Sequence, residues 1–316
     1  MQCDFSDSRR SMLKLSTLTA LGCITKYPAQ MLDFLDGRTD MTIEKRLIPG
    51  SGEQIPVIGL GTWQSFDVSE SAAERNALKA VLAVLLAKGA AVIDSSPMYG
   101  SSEEVTGDLT TELKIRKQLF LATKVWTNGR DAGIAQMNNS FAKLKTNVID
   151  LMQVHNLIDT ATHIKTLRQW KEKGKIRYWG ITHYVSSAYP ELIRLIKTEQ
   201  PDFVQFNYNI GVREAEHLLL PTAKEKGVAV IINRPFEEGA LFASVRGKTL
   251  PAWCSEYDIG SWAQFFLKFI VSHPAVTCTI PGTSKEKHAL DNLGAGFGKM
   301  PDEQTRQKMI AYFKTL

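Results

Sequence analysis

Three short apolar runs follow one another along the chain, and each carries a polar residue of a different kind at its end. VIDSSPMYG carries Asp94 and then Tyr99, LFLATKVW carries Lys124, and IDLMQVHN ends on His155 and Asn156. Positions 94, 124 and 155 are spaced like successive strand–helix–strand units. A carboxylate, a phenol, an ammonium and an imidazole on the same end of neighbouring parallel strands are the parts of a proton-donating site. A free tyrosine ionises near pH ~10, so at neutral pH it is a poor acid for a carbonyl oxygen. An adjacent ammonium stabilises the phenolate, and Lys124 is expected to lower the Tyr99 pKa toward the working range. Asp94 would keep that lysine charged in a partly buried place. His155 would donate to the substrate oxygen and orient it. The set suits polarising and protonating a carbonyl while hydride arrives from elsewhere. No side chain delivers hydride, so a cofactor is implied. Each residue taken singly has an ordinary structural reading: a turn cap, a satisfied buried base, a packing ring. Their common register on successive strands is what argues against coincidence.

The elements that must position them alternate along the chain. Two β-like pieces flank the turn Pro49-Gly50-Ser51-Gly52 within Lys45–Trp63, which predicts a hairpin leading into a first strand, Val57–Gly61. Further strands are expected at Val92–Asp94, Leu119–Val125, Ile149–His155, Ile176–Ile181, Phe203–Asn207, Val228–Ile232 and Val276–Ile280. Helices are expected at Ala72–Lys88, Glu103–Leu113, Gly133–Leu144, Thr162–Lys173, Glu191–Lys197, Arg213–Lys226, Ser261–Ser272, Lys285–Leu293 and Asp302–Phe313. Gly89, Gly174 and Gly227 stand as natural stops. Strands that are apolar throughout, rather than alternating, are buried on both faces. Such strands, each followed by a helix, predict a closed (β/α)8 TIM barrel with an N-terminal β-hairpin and a C-terminal extra helix. The competing open, doubly wound sheet is disfavoured. The first strand turn, Gly59-Leu60-Gly61-Thr62-Trp63-Gln64, lacks the third glycine of a dinucleotide fingerprint, and no linker divides the chain into halves.

The 316 residues are 44% hydrophobic and 22% charged, with a formal net charge of +5. This excess is mild, and no basic run or basic–aromatic stripe points to nucleic acid. Four scattered cysteines (Cys3, Cys23, Cys254, Cys278) without a C-x-x-C argue against a metal site and a disulfide framework. No apolar stretch is long enough for an ordinary membrane span. The N-terminus differs in character. Ser8-Arg9-Arg10-Ser11-Met12-Leu13-Lys14, followed by a mildly apolar run to Ile24, resembles a twin-arginine export signal. Residues 1–40 are therefore expected to be a leader to a barrel at 41–316, with the periplasm as destination and the cytoplasm as the alternative. Gly294-Ala295-Gly296-Phe297-Gly298-Lys299 lacks P-loop spacing, and Met300 follows the lysine. It is expected to be a flexible linker.

From about residue 43 to 315 the chain resembles the aldo-keto reductase family. The resemblance rests on Asp94-x-x-x-x-Tyr99-Gly100, Lys124 in Thr-Lys-Val, and His155 after an apolar run. Gly59-Leu60-Gly61-Thr62-Trp63, Gly180-Ile181-Thr182-His183, Gln205 in VQFNYN, and Ile280-Pro281-Gly282-Thr283-Ser284 with Asp291-Asn292 follow in the same order. It implies a barrel enzyme that reduces carbonyls with NADP(H), passing the 4-pro-R hydride, with Asp94, Tyr99, Lys124 and His155 as the catalytic tetrad. It further implies that Thr62 and Trp63 border the cofactor, and that Thr182, His183 and Gln205 hold the nicotinamide carboxamide. Asn233, Arg234, Pro235 and Phe236 would lie along it, with Arg234 stacking on the ring or binding the pyrophosphate. Pro281, Gly282, Thr283, Ser284, Lys285, His288, Asp291 and Asn292 would take the adenosine end. Thr182-His183 stands where the family commonly has Ser-Asn, and Asn233 near a position where tyrosine is frequent. The preference for NADP(H) over NAD(H) rests on Ser284, Lys285 and His288.

Trp63, Phe66, Trp126, Asn156 and Phe236 are candidates for the substrate pocket, which would favour an aldehyde or ketone with an apolar body. A monomer is expected. A cofactor-binding sensor of the same fold is the alternative function. A phosphate-binding isomerase would want a carboxylate base at a later strand end, and none is apparent.

Overall fold

A computed structural model of the chain describes residues 42–316. The leader expected over 1–40, with Cys3, Arg9, Arg10 and Cys23, lies outside the described residues. β1 (Lys45–Leu47) and β2 (Gln54–Pro56) pair antiparallel around the Pro49–Gly52 turn. Eight parallel strands follow: β3 (Leu60–Gly61), β4 (Val92–Asp94), β5 (Phe120–Val125), β6 (Ile149–His155), β7 (Ile176–Thr182), β8 (Phe203–Asn207), β9 (Ala229–Asn233) and β10 (Cys278–Thr279). Each pairs with its neighbour in chain order. The ring closes where Ile58 pairs with Thr279 and Gly61 with Gly282, both parallel. Gly61 is required at this seam, because a Cβ there would lie 2.7 Å from the Ile280 carbonyl oxygen.

Helices α1 (Ala72–Ala87), α2 (Ser102–Glu112), α3 (Arg130–Lys143), α4 (Thr160–Glu172), α5 (Tyr189–Glu199) and α6 (Leu219–Glu225) follow β3 to β8 in turn. After β9 come the short α7 (Ala240–Ser244), a 3-10 turn at Ala252–Tyr257 and α8 (Trp262–Val271), while α9 (Glu286–Gly294) and α10 (Glu303–Phe313) follow β10. The architecture is the (β/α)8 barrel with its N-terminal hairpin and extra C-terminal helix. Among the described residues, no helix is long and apolar enough to cross a membrane.

Period-two alternation explains how the barrel interior is built. The inward residues of β5 run Phe120, Ala122, Lys124, and those of β6 run Leu151, Gln153, His155. Those of β8 run Phe203, Gln205, Asn207, and those of β9 run Ala229, Ile231, Asn233. Each series starts apolar and ends polar. The apolar starts form one buried cluster with Ile48 and Ile55 of the hairpin. The polar ends form a second layer at the strands' C-terminal ends. The outward residues of the same strands, such as Leu121, Val154, Val204 and Val230, pack with the helices into the main core. This is why the strands read as continuously apolar.

Two expectations need correction, and one segment carries structure that was not expected. The helix expected over Arg213–Lys226 is a 3-10 turn at Glu214–Glu216 and a shorter α6, since Pro221 suits only the first turn of a helix. The segment between β9 and α8 carries α7 and a 3-10 turn, which no sequence periodicity announced. The segment 294–299 is tied down and is not a flexible linker: Glu44 N–H donates to the Gly296 carbonyl at 2.8 Å, and the buried Lys268 Nζ donates to the carbonyls of Phe297 and Lys299 at 2.7 and 3.1 Å.

Candidate active site

A cavity of about 890 Å³ opens at the C-terminal ends of the barrel strands. Asp94, Tyr99 and His155 line it, and the fully buried Lys124 lies directly behind Tyr99. Lys124 Nζ donates to Asp94 Oδ2 at 2.6 Å and to the Ser95 carbonyl at 2.6 Å, and sits 5.0 Å from the Tyr99 ring centroid. The other carboxylate oxygen, Asp94 Oδ1, accepts from Gln205 Nε2 at 3.0 Å and Gln153 Nε2 at 3.2 Å. Asp94 is thus held from three strands. Two of its partners, Gln153 and Gln205, are buried glutamines on the inward faces of β6 and β8. Gln153 did not stand out in the sequence, although its position two residues before His155 places it on the same face of β6.

Burial would push the Lys124 ammonium down. Asp94, with Tyr99, outweighs this and holds it above its ordinary value. Tyr99 departs from expectation. Burial pushes its phenol above the ordinary value, and the attraction of Lys124 only partly opposes that rise. The lysine therefore moderates a desolvated phenol and does not bring it down to neutral pH. His155 is pushed down to about 3, first by burial and then by the charge of Lys124, so it is a neutral imidazole at any working pH. Its ring meets Tyr99 edge-on, centroids 6.0 Å apart. Ser96 Oγ lies 3.1 Å from His155 Nδ1.

The remaining wall comes from the ends of β3 and β6 to β10. Thr62, Trp63, Asn156, Thr182, Gln205, Asn233, Arg234, Pro235, Phe236 and Gly282 line the cavity. Thr182 Oγ1 donates to Gln205 Oε1 at 3.0 Å. His183 is placed beside the wall: its Nδ1 accepts the backbone N–H groups of Tyr184 and Val185, at 3.0 and 3.3 Å, and its ring stacks on Tyr184. Arg234 is taken up by acidic partners, Glu237 at 2.7 Å and Glu238 at 3.1 Å, with its guanidinium 5.8 Å from the Tyr184 ring centroid. Gln64, Asn156 and Arg234 all adopt left-handed backbone conformations just past strand ends (φ 56, 51 and 49). Such conformations are costly for residues other than glycine and gather where loops shape a site.

Pro281, Thr283, Ser284, Lys285, His288, Asp291 and Asn292 form no part of this cavity wall; they lie along the loop after β10 and α9. Lys285 and His288 are exposed, and Asp291 Oδ1 accepts from Gln264 Nε2 at 2.8 Å. Phe66 is corrected outright. It is fully buried in the core between barrel and helices and does not reach the cavity. Trp126 also stays off the cavity wall: both its backbone groups are bonded to Gln136 of α3. The exposed apolar residues at the cavity are Trp63, Met98, Tyr184 and Phe242. Met98, Tyr184 and Phe242 had no strand-end motif to mark them.

The model of the Aldo/keto reductase family matches residues 57–309. Methylglyoxal reductase YeaE of Escherichia coli (strain K12) is 27% identical over 259 residues, covering 79% of this chain and 89% of that relative. An aldo/keto reductase from Klebsiella pneumoniae, solved in complex with NADP and acetate, superposes with a TM-score of 0.73 at 24% identity, over 86% of this chain and 96% of its own. An aldo-keto reductase from the same organism, solved in complex with NADPH, gives a TM-score of 0.67 at 25% identity with the same coverage.

Proposed function

The chain belongs to the aldo/keto reductase family, and from that premise we propose that it is an NADP(H)-dependent oxidoreductase reducing an aldehyde or ketone to an alcohol. The observation that carries the reading is the buried Lys124–Asp94 pair set behind Tyr99, with the neutral His155 across the ring from it. Tyr99 and His155 offer two N–H or O–H donors to one oxygen. Tyr99, held above its ordinary pKa, remains protonated at neutral pH and transfers its proton as negative charge develops on the carbonyl oxygen. An alkoxide is a far stronger base than a phenolate, so the transfer remains downhill. The phenolate left behind is stabilised by the Lys124 ammonium.

Bound NADPH supplies the hydride. The polar wall fits its nicotinamide carboxamide: Thr182 and Gln205 stand at the cavity wall, and the buried Asn233 Oδ1, which has no partner among the described residues, would accept an N–H of the carboxamide. Ser284, Lys285 and His288 are assigned to the adenosine end, where a 2′-phosphate would meet the Lys285 ammonium and hydrogen-bond donors from Ser284 and His288. The complexes of the Klebsiella pneumoniae relatives support NADP(H) over NAD(H). Trp63, Met98, Tyr184 and Phe242 at the cavity suit a substrate with an apolar body. The test is NADPH consumption against a panel of aldehydes and ketones, including methylglyoxal, after fluorescence titration with NADPH and NADH. Turnover of at least one carbonyl, with NADPH bound more tightly than NADH, is expected. NADPH binding with no carbonyl consumed would favour a sensor of the same fold.

Export through the twin-arginine route, directed by Arg9 and Arg10, is proposed as well. Replacing both arginines by lysine should retain the protein in the cytoplasm, and unchanged fractionation would refute it.

A further inference from the structure

The hydroxyl of Ser96 has no part in the chemistry above, yet it touches the histidine that does. Ser96 is fully buried, and its Oγ lies 3.1 Å from His155 Nδ1. The same oxygen accepts the Met98 N–H at 3.3 Å. Among the described residues no other side-chain hydrogen bond involves Ser96 Oγ, so its single proton has one acceptor there, the Nδ1 lone pair. A neutral imidazole that accepts at Nδ1 must carry its proton on Nε2. The opposite arrangement, Nδ1–H donating to Ser96, would leave the hydroxyl proton without an acceptor in a buried place and present a bare Nε2 lone pair to the cavity. Imidazolium is excluded by burial, by Lys124 and by His183, which together hold His155 far below neutral pH.

We propose that Ser96 is a positioning residue that fixes His155 as the Nε2–H tautomer, so that the imidazole meets a carbonyl oxygen as a hydrogen-bond donor. The turn after β4 thereby does two jobs. It carries Tyr99 into the cavity, and through Ser96 it sets the proton of the residue on β6 that shares the substrate oxygen with Tyr99. The consequence for recognition is a site with two donors and no acceptor for that oxygen, which favours a carbonyl or alkoxide over a group that must donate. The proposal rests on the reductase reading for its functional consequence, but the tautomer itself can be read without turnover.

The experiment is 15N NMR of the histidine-labelled full chain, with the His155 signals identified by their loss in His155→Gln. The wild type is expected to show a protonated Nε2 and an accepting Nδ1. Ser96→Ala should shift the Nδ1 resonance toward that of an acceptor without a donor and populate the second tautomer. Its kcat should fall by roughly threefold to tenfold at unchanged NADPH affinity, against roughly a hundredfold or more when the donor itself is lost in His155→Gln. Ser96→Thr, which keeps the hydroxyl, should restore the single tautomer. A wild-type spectrum with the proton on Nδ1 overturns the proposal, as does a Ser96→Ala protein whose His155 resonances and kcat match the wild type. Absence of any carbonyl turnover in the wild type would defeat the reductase reading and leave the tautomer measurement standing.

Discussion

Tyr99, Lys124 and Asp94 form a chain of dependence in which each group sets the state of the next. Asp94 holds Lys124 charged in a fully buried position, and Lys124 limits how far burial raises Tyr99. Removing either member of the ion pair leaves an uncompensated buried charge. Lys124→Met should therefore cost about 3–5 kcal/mol of stability, read from urea unfolding. In whatever protein remains folded, the basic limb of the pH–rate profile should move up, since the attraction that lowers Tyr99 has gone. A loss below about 1 kcal/mol would mean that the pair is relieved in some other way. Asp94, Lys124 and His155 could be read from the sequence because they lie at or next to the ends of apolar strands at regular intervals, with Tyr99 in the turn after the first of these strands. The sign of the Tyr99 shift could not, because residue types name the charges near a phenol but not how deeply it is buried. Ser96 and Gln153 were also silent, their roles depending on partners 59 residues away.

The strands explain both what was legible and what was not. β4, β6 and β8 have the bounds expected from their apolar runs, because a strand buried on both faces leaves an unbroken signature and ends where the polar layer begins. β3 and β10 are shorter than expected, although their flanks remain paired, with Gly59 N–H donating to the Thr279 carbonyl at 2.8 Å. The stretch from Arg234 to Gly260 was opaque. It is built from left-handed residues and local ion pairs, such as Arg234 with Glu237, which carry no period. The β3–β10 seam allows a direct test of closure. Gly61→Ala places a Cβ against the Ile280 carbonyl and should cost about 1–3 kcal/mol, measured by chemical unfolding. Stability equal to wild type would show that the seam yields more readily than its 2.7 Å approach implies.

The folded protein holds His155 and His273 neutral, and this couples stability to pH. His155 is pushed down to about 3 and His273 to about 4, both chiefly by burial. In the unfolded chain both would titrate near pH ~6.5. Between that value and the folded pKa values the unfolded state binds more protons, so stability falls as pH falls, by up to about 1.4 kcal/mol per pH unit for each histidine. Unfolding midpoints measured from pH 7 to 5 should show this slope, and His155→Gln with His273→Gln should flatten it. A pH-independent midpoint in the wild type would contradict the assignment. For the molecule's chemistry, the most direct measurement is kcat for carbonyl reduction in Tyr99→Phe, set beside the affinity of the same protein for NADPH. A fall of about 100-fold or more in kcat with NADPH affinity unchanged is the predicted result. Activity near that of wild type in Tyr99→Phe would contradict the account.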